Sequence, residues 1–120
     1  MSKNKIGTMG EIEAVRYFRN NGYRIVTVNY RTRFGEIDVI CTKGNYIIFA
    51  EVKTRNEDSI AAPKEFVDHS KQTKIINTAM IYISSNRVQH QPRFDVIEIV
   101  YNKNNDKVIK LNHIKNAFGG

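Results

Sequence analysis

The sequence predicts an α/β sandwich built on a mixed sheet. Two stretches carry apolar residues at helical spacing, one near the N-terminus and one in the middle of the chain. Five other runs are rich in β-branched and aromatic residues. Their order, α-β-β-β-α-β-β, indicates helices packed against a sheet that mixes parallel and antiparallel pairs.

Residues 8–21, TMGEIEAVRYFRNN, read as the first helix, with Ile12, Val15 and Phe18 as its apolar stripe. Thr8 and Glu11 fit a capping box at its start, and Gly22 fits a C-terminal cap. YRIVTVNY (23–30) reads as a strand, followed by the polar turn RTRFG. EIDVICTK (36–43) and YIIFAEVKT (46–54) are the next two strands. The Gly44-Asn45 step between them is a two-residue hairpin signal. Pro63 marks a helix start, and helical patterning continues to about Ser84 through Ile75, Ile76, Ala79, Met80 and Ile83. A break is expected between Asp68 and Ser70, where both residue types favour N-caps. RFDVIEIVY (93–101) is a fourth strand and KVIKL (107–111) a fifth, with HIKNAFGG as a short terminal turn.

At 120 residues and 41% hydrophobic content, one domain spanning 1–120 with a modest core is the simplest organisation. The lone Cys41 cannot form an internal disulfide, which fits a reducing cytoplasm. The basic N-terminus lacks an apolar region like that of a signal peptide, and no run approaches the roughly 18 apolar residues of a membrane-spanning helix. The net charge is +7 and the isoelectric point about 9.6. That excess points to a polyanionic partner, of which nucleic acid is the commonest. Arg16, Arg19, Arg24, Arg31 and Arg33 cluster in the first third, and Lys64, Lys71 and Lys74 follow in the second helical segment.

The central hairpin carries an unusual set of charges. If Gly44-Asn45 forms a two-residue loop, Lys43 faces Tyr46, Ile40 faces Phe49, Asp38 faces Glu51 and Glu36 faces Lys53. With a side-chain period of two, these four charged residues share one face. Ile37, Val39, Cys41, Tyr46, Ile48, Ala50 and Val52 then make the other, a core face. Opposed Cβ atoms lie roughly 4.5–5.5 Å apart, and like charges so placed destabilise a sheet unless a cation compensates. Lys53 is one candidate cation and a divalent metal the other. Mg²⁺ suits one or two carboxylates plus water and phosphate oxygens, and it can activate water and neutralise charge at a scissile phosphate. Lys53 would then orient the attacking water or stabilise the transition state. The competing explanation is an ordinary ion-pair ladder of Glu36 with Lys53.

Asp38, a gap of twelve, then Glu51-Val52-Lys53 resembles the D…(D/E)-x-K core of restriction-endonuclease-like nucleases. The wider pattern is more specific. GEIEAVRYFRNNGYRIVTVNYRTRFGEIDVI, then IIFAEVKTR, Pro63, Val67, Lys71, Ala79, RFDVI (93–97) and HIKNAF (113–118) resemble the YraN family of uncharacterised proteins over nearly the whole chain. The resemblance implies a restriction-endonuclease-like three-layer sandwich, a mixed central sheet flanked by helices. It implies a catalytic set of Glu11, Asp38, Glu51 and Lys53, with Asp38, Glu51 and Glu11 as ligands to Mg²⁺ or Mn²⁺. Glu36, in the GEID motif, is an accessory candidate. The layout is also similar to archaeal Holliday-junction resolvases, which pair a glutamate on the first helix with the same strand residues. Ile37 stands where the broad nuclease pattern has proline, and Ala50 where FVEVK has valine; neither removes a ligand.

Glu11 keeps two roles open, cap or ligand, and helix composition does not decide between them. Arg31, Arg33 and Arg55 flank the hairpin as candidates for backbone phosphates. Lys71 and Gln72 are further candidates for phosphate or the attacking water, against the commoner explanation of a solvated helix face. Asp95 is expected to make a structural hydrogen bond. His69, His90 and His113 lack metal-site spacing and are expected at the surface. No Walker A loop, dinucleotide fingerprint or zinc cysteine pair is present, and neither Ser59 nor Cys41 has a nearby base.

Three function classes follow. The first is a metal-dependent nuclease acting on DNA, branched or damaged structures included. The second is a nucleic-acid-binding module of the same fold without catalysis. The third is a protein-interaction domain that sets its basic surface against an acidic partner. Retention of Asp38, Glu51 and Lys53 together favours the first. No membrane partner is expected, and the oligomeric state stays open, with a homodimer as one option.

Overall fold

The computed structural model describes residues 2–58 and 67–119; Ser59, Lys64 and the expected helix start at Pro63 lie outside them. The element order is α1 (Ser2–Asn20), β1 (Arg24–Thr32), β2 (Gly35–Lys43), β3 (Tyr46–Asn56), α2 (His69–Asn86), β4 (Gln91–Tyr101) and β5 (Val108–Phe118). The strands form one sheet in the order β1-β2-β3-β4-β5. β1, β2 and β3 make an antiparallel meander, β3 and β4 are parallel across α2, and β5 returns antiparallel to β4.

Each helix covers one face of the sheet. On one side α1 buries Ala14 and Phe18 against Val39, Cys41, Ile48, Ala50, Ile97 and Ile99. On the other, α2 buries Ile75 and Ala79 against Ile37, Ile40, Ile47, Phe49, Phe94 and Val96. Both faces of β2 and β3 are therefore core, which explains why these strands read as nearly continuous apolar runs. This helix–sheet–helix layering is the three-layer sandwich of the restriction-endonuclease-like fold. No helix among the described residues is long and apolar enough to cross a membrane.

Local chemistry sets the boundaries. α1 begins at Ser2, so Thr8 lies inside the helix and no capping box forms there. At its other end Tyr23 N–H donates to Phe18 O at 2.9 Å and Gly22 N–H to Arg19 O at 3.2 Å. Gly22 has φ +84°, so these two bonds complete a Schellman cap. Asp68 caps α2 by accepting the Lys71 N–H at 2.8 Å. Gly44, at φ +57°, sits where a type II′ hairpin needs a left-handed residue. Gly10 lets α1 pack closely on β3, since a Cβ there would collide with Thr54 Cγ2.

The C-terminus departs from the expected short strand and turn. β5 continues to Phe118, pairing along β4 as far as Phe94. A register shift interrupts the pairing between Phe94 and Val96. There Asn116 adopts φ +52° and its N–H donates to Asp95 Oδ1 at 3.0 Å. Asp95, wholly buried, is also held by Arg93 (2.9 and 2.7 Å) and by His113 Nε2 at 2.6 Å. His113 Nδ1 meets Tyr17 Oη at 2.8 Å. His113 is therefore a core residue rather than the expected surface one, because its ring bridges a buried carboxylate and a phenol. His69 and His90 are exposed as expected. Burial pushes the Asp95 pKa up, but the hydrogen bonds from His113, Arg93 and Asn116 outweigh it and hold the carboxyl below its ordinary value.

Removing this carboxylate strands Arg93, His113 and the Asn116 N–H. Asp95→Ala is expected to destabilise the fold by about 3–5 kcal/mol. Met80→Ala, on the exposed face of α2, should stay within about 0.5 kcal/mol. Urea unfolding of both variants checks the contrast.

Candidate active site

The hairpin pairs as the Gly44-Asn45 turn dictates from Lys43↔Tyr46 to Val39↔Ala50, and there the ladder stops. Asp38 does not continue it as a backbone partner of Glu51. Its Oδ2 instead accepts the Val52 N–H at 2.7 Å. A side chain has replaced a ladder bond, and the two strands part beyond it. Glu36 consequently never reaches Lys53; it forms an exposed ion pair with Arg31 at 2.8 Å, toward β1. Ile37 also changes sides. Strict alternation puts it with Val39 and Cys41, yet it packs with Ile40 and Phe49 beneath α2.

The parting of the strands leaves a buried acidic pair. Asp38 is 8% exposed and Glu51 6%. Glu51 points toward α2, where its Oε1 lies 3.0 Å from Lys71 Nζ and 3.5 Å from Lys53 Nζ. Lys71 is thus drawn into the site rather than left on a solvated face. Gln72 is not: its amide donates to Val67 O at 3.0 Å and secures the start of α2. Glu11 is half-buried on α1, close enough for its charge to act on Asp38. Gly10 brings this turn of α1 close to Val52 and Thr54 of β3, and no capping box engages Glu11.

The electrostatics separate this site from the rest of the molecule. Burial, then the charge of Glu51, raises the Asp38 carboxyl from 3.8 to about 7, against the lowering effect of the Val52 N–H. Burial and the contact with Lys71 lower the Lys53 ammonium. Burial opposes the charge on Lys71 too, but its contacts with Lys53 and Glu51 outweigh that and raise it. Two lysines thus share one carboxylate, and Lys53 is the one more readily neutral.

The donor set suits a hard divalent cation. Asp38 and Glu51 offer carboxylate oxygens, and burial together with the charge of Glu51 raises the Asp38 carboxyl. Among the described residues no three His, Cys, Asp or Glu side chains are gathered as a ready ligand cluster. An ion here would keep much of its water, as Mg²⁺ does.

The other sequence candidates fall around this centre. Arg31 and Arg33 are exposed at the β1–β2 turn, beside Lys74 of α2. Arg55 is committed inward, its Nε 2.6 Å from Glu98, a buried carboxylate that also accepts from Asn112. Cys41 is fully buried, and burial pushes its thiol up to about 12, which leaves it inert as a nucleophile. Of Lys71 and Gln72, the two candidates the sequence offers on this helix, the structure brings Lys71 to Glu51. The signal for its role is its place in the first turn after the Asp68 cap, which aims that turn at β3.

The family model described as "Uncharacterised protein family UPF0102" matches residues 10–99. Similar relatives include UPF0102 protein TTE1452 of Caldanaerobacter subterraneus subsp. tengcongensis, 44% identical over 119 residues and covering 98% of each chain. A UPF0102 protein of Alkaliphilus oremlandii is 45% identical over 117 residues, covering 95% of this chain and 97% of the relative. One from Persephonella marina is 43% identical over 113 residues, covering 93% and 91%. The match spans the helix, the GEID strand and the E-x-K strand that build the site, and the chain belongs to the UPF0102 family.

Proposed function

We propose that the protein hydrolyses phosphodiester bonds in DNA with the help of Mg²⁺ or Mn²⁺. The observation that carries this reading is the buried Asp38–Glu51 pair, its Asp38 carboxyl raised by burial and by the charge of Glu51, with two lysines converging on Glu51. Such perturbed groups cluster where chemistry is done. Asp38 and Glu51 would hold the ion, with Glu11 supporting from α1. Bound there, the ion would polarise the scissile phosphate and assist water ionisation. Lys53 would orient the attacking water and donate hydrogen bonds to the phosphate oxygens as charge builds on them. Lys71 would hold Glu51 in place and keep positive charge near the phosphate. Arg31 and Arg33 would grip the backbone on the approach, while Arg55, engaged with Glu98, contributes to the frame of the site.

One observation favours the alternative of a binding module without catalysis. Both lysines close on Glu51, and among the described residues no third ligand is gathered with the carboxylates. A site neutralised by its own lysines would bind phosphate without cutting it.

Cleavage and binding measured together separate the two. Asp38→Asn is expected to lower metal-dependent cleavage by about 100-fold or more, the scale of losing a transition-state-stabilising group. Its DNA affinity should be unchanged or higher, since repulsion of phosphate is relieved. Lys53→Ala should lower both cleavage and affinity. Affinity should fall steeply with salt for every variant. A wild type that binds but never cleaves linear, nicked, flapped or four-way DNA with Mg²⁺ or Mn²⁺ would establish the binding module instead.

A stability measurement tests the charge state without any substrate. The Asp38 carboxyl is raised to about 7 in the fold against 3.8 for the free group. The folded state therefore holds a proton that the unfolded chain releases between those values. Its stabilising contribution is complete below about pH 4 and is lost as pH rises through about 7. With chelator present, the thermal midpoint of Asp38→Asn minus that of wild type should increase over this window and level off above it. A difference independent of pH would show that Asp38 ionises normally.

A further inference from the structure

The β1–β2 turn holds an aromatic ring in solvent where the fold has no use for one. Thr32 pairs with Gly35, so Arg33 and Phe34 are the two residues of the tip. Tips of this length favour Gly, Asn or Asp in left-handed conformations. Here neither residue has a positive φ, and the position carries phenylalanine, 48% exposed. The turn is nonetheless built rather than loose. Thr32 Oγ1 accepts the Phe34 N–H at 3.1 Å. Gly35 lies so close to α2 that a Cβ would stand 3.0 Å from Thr78 Oγ1 and 3.4 Å from Lys74 Cβ. The Arg33 guanidinium sits 4.9 Å from the Phe34 ring centroid.

The surroundings of the ring are basic. An open groove of about 410 Å³ runs beside it, with Arg31, Arg33 and Lys74 among its walls. Among the described residues of its wall the carboxylate is Glu36, paired with Arg31 at 2.8 Å. The tip also stands at the start of the strand that carries Asp38. Phe34 precedes Asp38 by four residues along β2, roughly 13 Å of strand. That distance corresponds to about four stacked nucleotides. On the facing helix, Lys74 follows Lys71 by one turn, so one edge of α2 borders both the tip and Glu51.

We propose that the Arg33–Phe34 tip is a base-stacking element that selects DNA with unpaired bases about four nucleotides from the scissile phosphate. An exposed aromatic flanked by cations is the common platform for single-stranded nucleic acid, because every base has a stacking face. In a continuous duplex the bases are stacked on one another and offer Phe34 nothing. At a gap, flap or branch an unpaired base can leave the stack and lie on the ring, while Arg31, Arg33 and Lys74 hold the adjoining phosphates. The inference rests on the DNA partner assigned above and adds the structural class of the substrate.

Binding under chelator tests it apart from cleavage. The probes are a labelled, fully paired DNA duplex and the same duplex with a short single-stranded gap. Wild type should prefer the gapped probe. Phe34→Ala should lose about tenfold or more on the gapped probe, leave the duplex unchanged and keep its thermal midpoint, whereas Phe34→Tyr should retain the preference. The chain has no tryptophan, so Phe34→Trp places a single reporter at the tip. Its fluorescence should be quenched by gapped DNA and not by duplex. Equal affinity of wild type for both probes, equal losses on both for Phe34→Ala, or an unquenched Trp signal on a bound gapped probe would overturn the proposal and leave the nuclease reading standing. A Trp signal that instead tracks protein concentration, with self-association abolished in Phe34→Ala, would reassign the tip to a protein contact. Failure of wild type to bind either probe would remove both readings.

Discussion

The hydrogen bond from the Val52 N–H to the Asp38 carboxylate governs the architecture of the site. It stands where the next backbone bond of the β2–β3 ladder would form. A carboxylate buried without partners would be costly, and this N–H partly compensates it. Because the bond goes to a side chain, the strands separate beyond Val39 and Ala50. Ile37 then turns under α2, Glu36 is released toward β1, and Glu51 and Lys53 project into the space that opens beside α2. The cluster of charges is thus the product of a ladder that ends, rather than of one that continues.

Among the described residues, four buried carboxylates divide into two kinds. Asp95 and Glu98 are saturated: Arg93, His113 and Asn116 hold the first, Arg55 and Asn112 the second. Hydrogen bonds outweigh burial in both, and both carboxyls lie below their ordinary values. Asp38 has one backbone N–H and an anionic neighbour, and it is raised. Glu51 has two ammonium groups, but on the same oxygen. The fold can neutralise buried acids fully, and does so on β4. On β2 and β3, by contrast, the Val52 N–H does not offset burial and the charge of Glu51 at Asp38.

Much of this was legible in the sequence because it depends on local rules. Gly44-Asn45 set the hairpin register as far as Val39↔Ala50, and Gly22 and Asp68 marked helix ends by their own cap chemistry. What was not legible depends on contacts between distant segments. Counting by twos from the turn could not know that Asp38 would bond Val52 and break the alternation at Ile37. His113 looked like a surface residue because its partners, Asp95 and Tyr17, lie 18 and 96 positions away. The start of α1 was misplaced because Thr8 and Glu11 satisfy a capping pattern that the upstream residues, already helical, override. The length of β5 was hidden by its polar composition, since pairing along β4, rather than alternation, holds it.

The basic charge of the chain finds its use in how it is distributed along α2. The Asp68 cap fixes the first turn, and that turn delivers Lys71 to Glu51. One turn later Lys74 borders the β1–β2 tip, and Thr78 packs against Gly35 beneath it. A single rigid helix therefore sets the spacing between the acidic pair and the exposed Phe34. Arg31 neutralises Glu36 at the tip, so the approach from Phe34 to Asp38 is cationic until it reaches the two buried carboxylates. A polyanion following that track would meet attraction along the groove and repulsion only at its end. On the nuclease reading proposed above, a divalent cation held by Asp38 and Glu51 would relieve that repulsion.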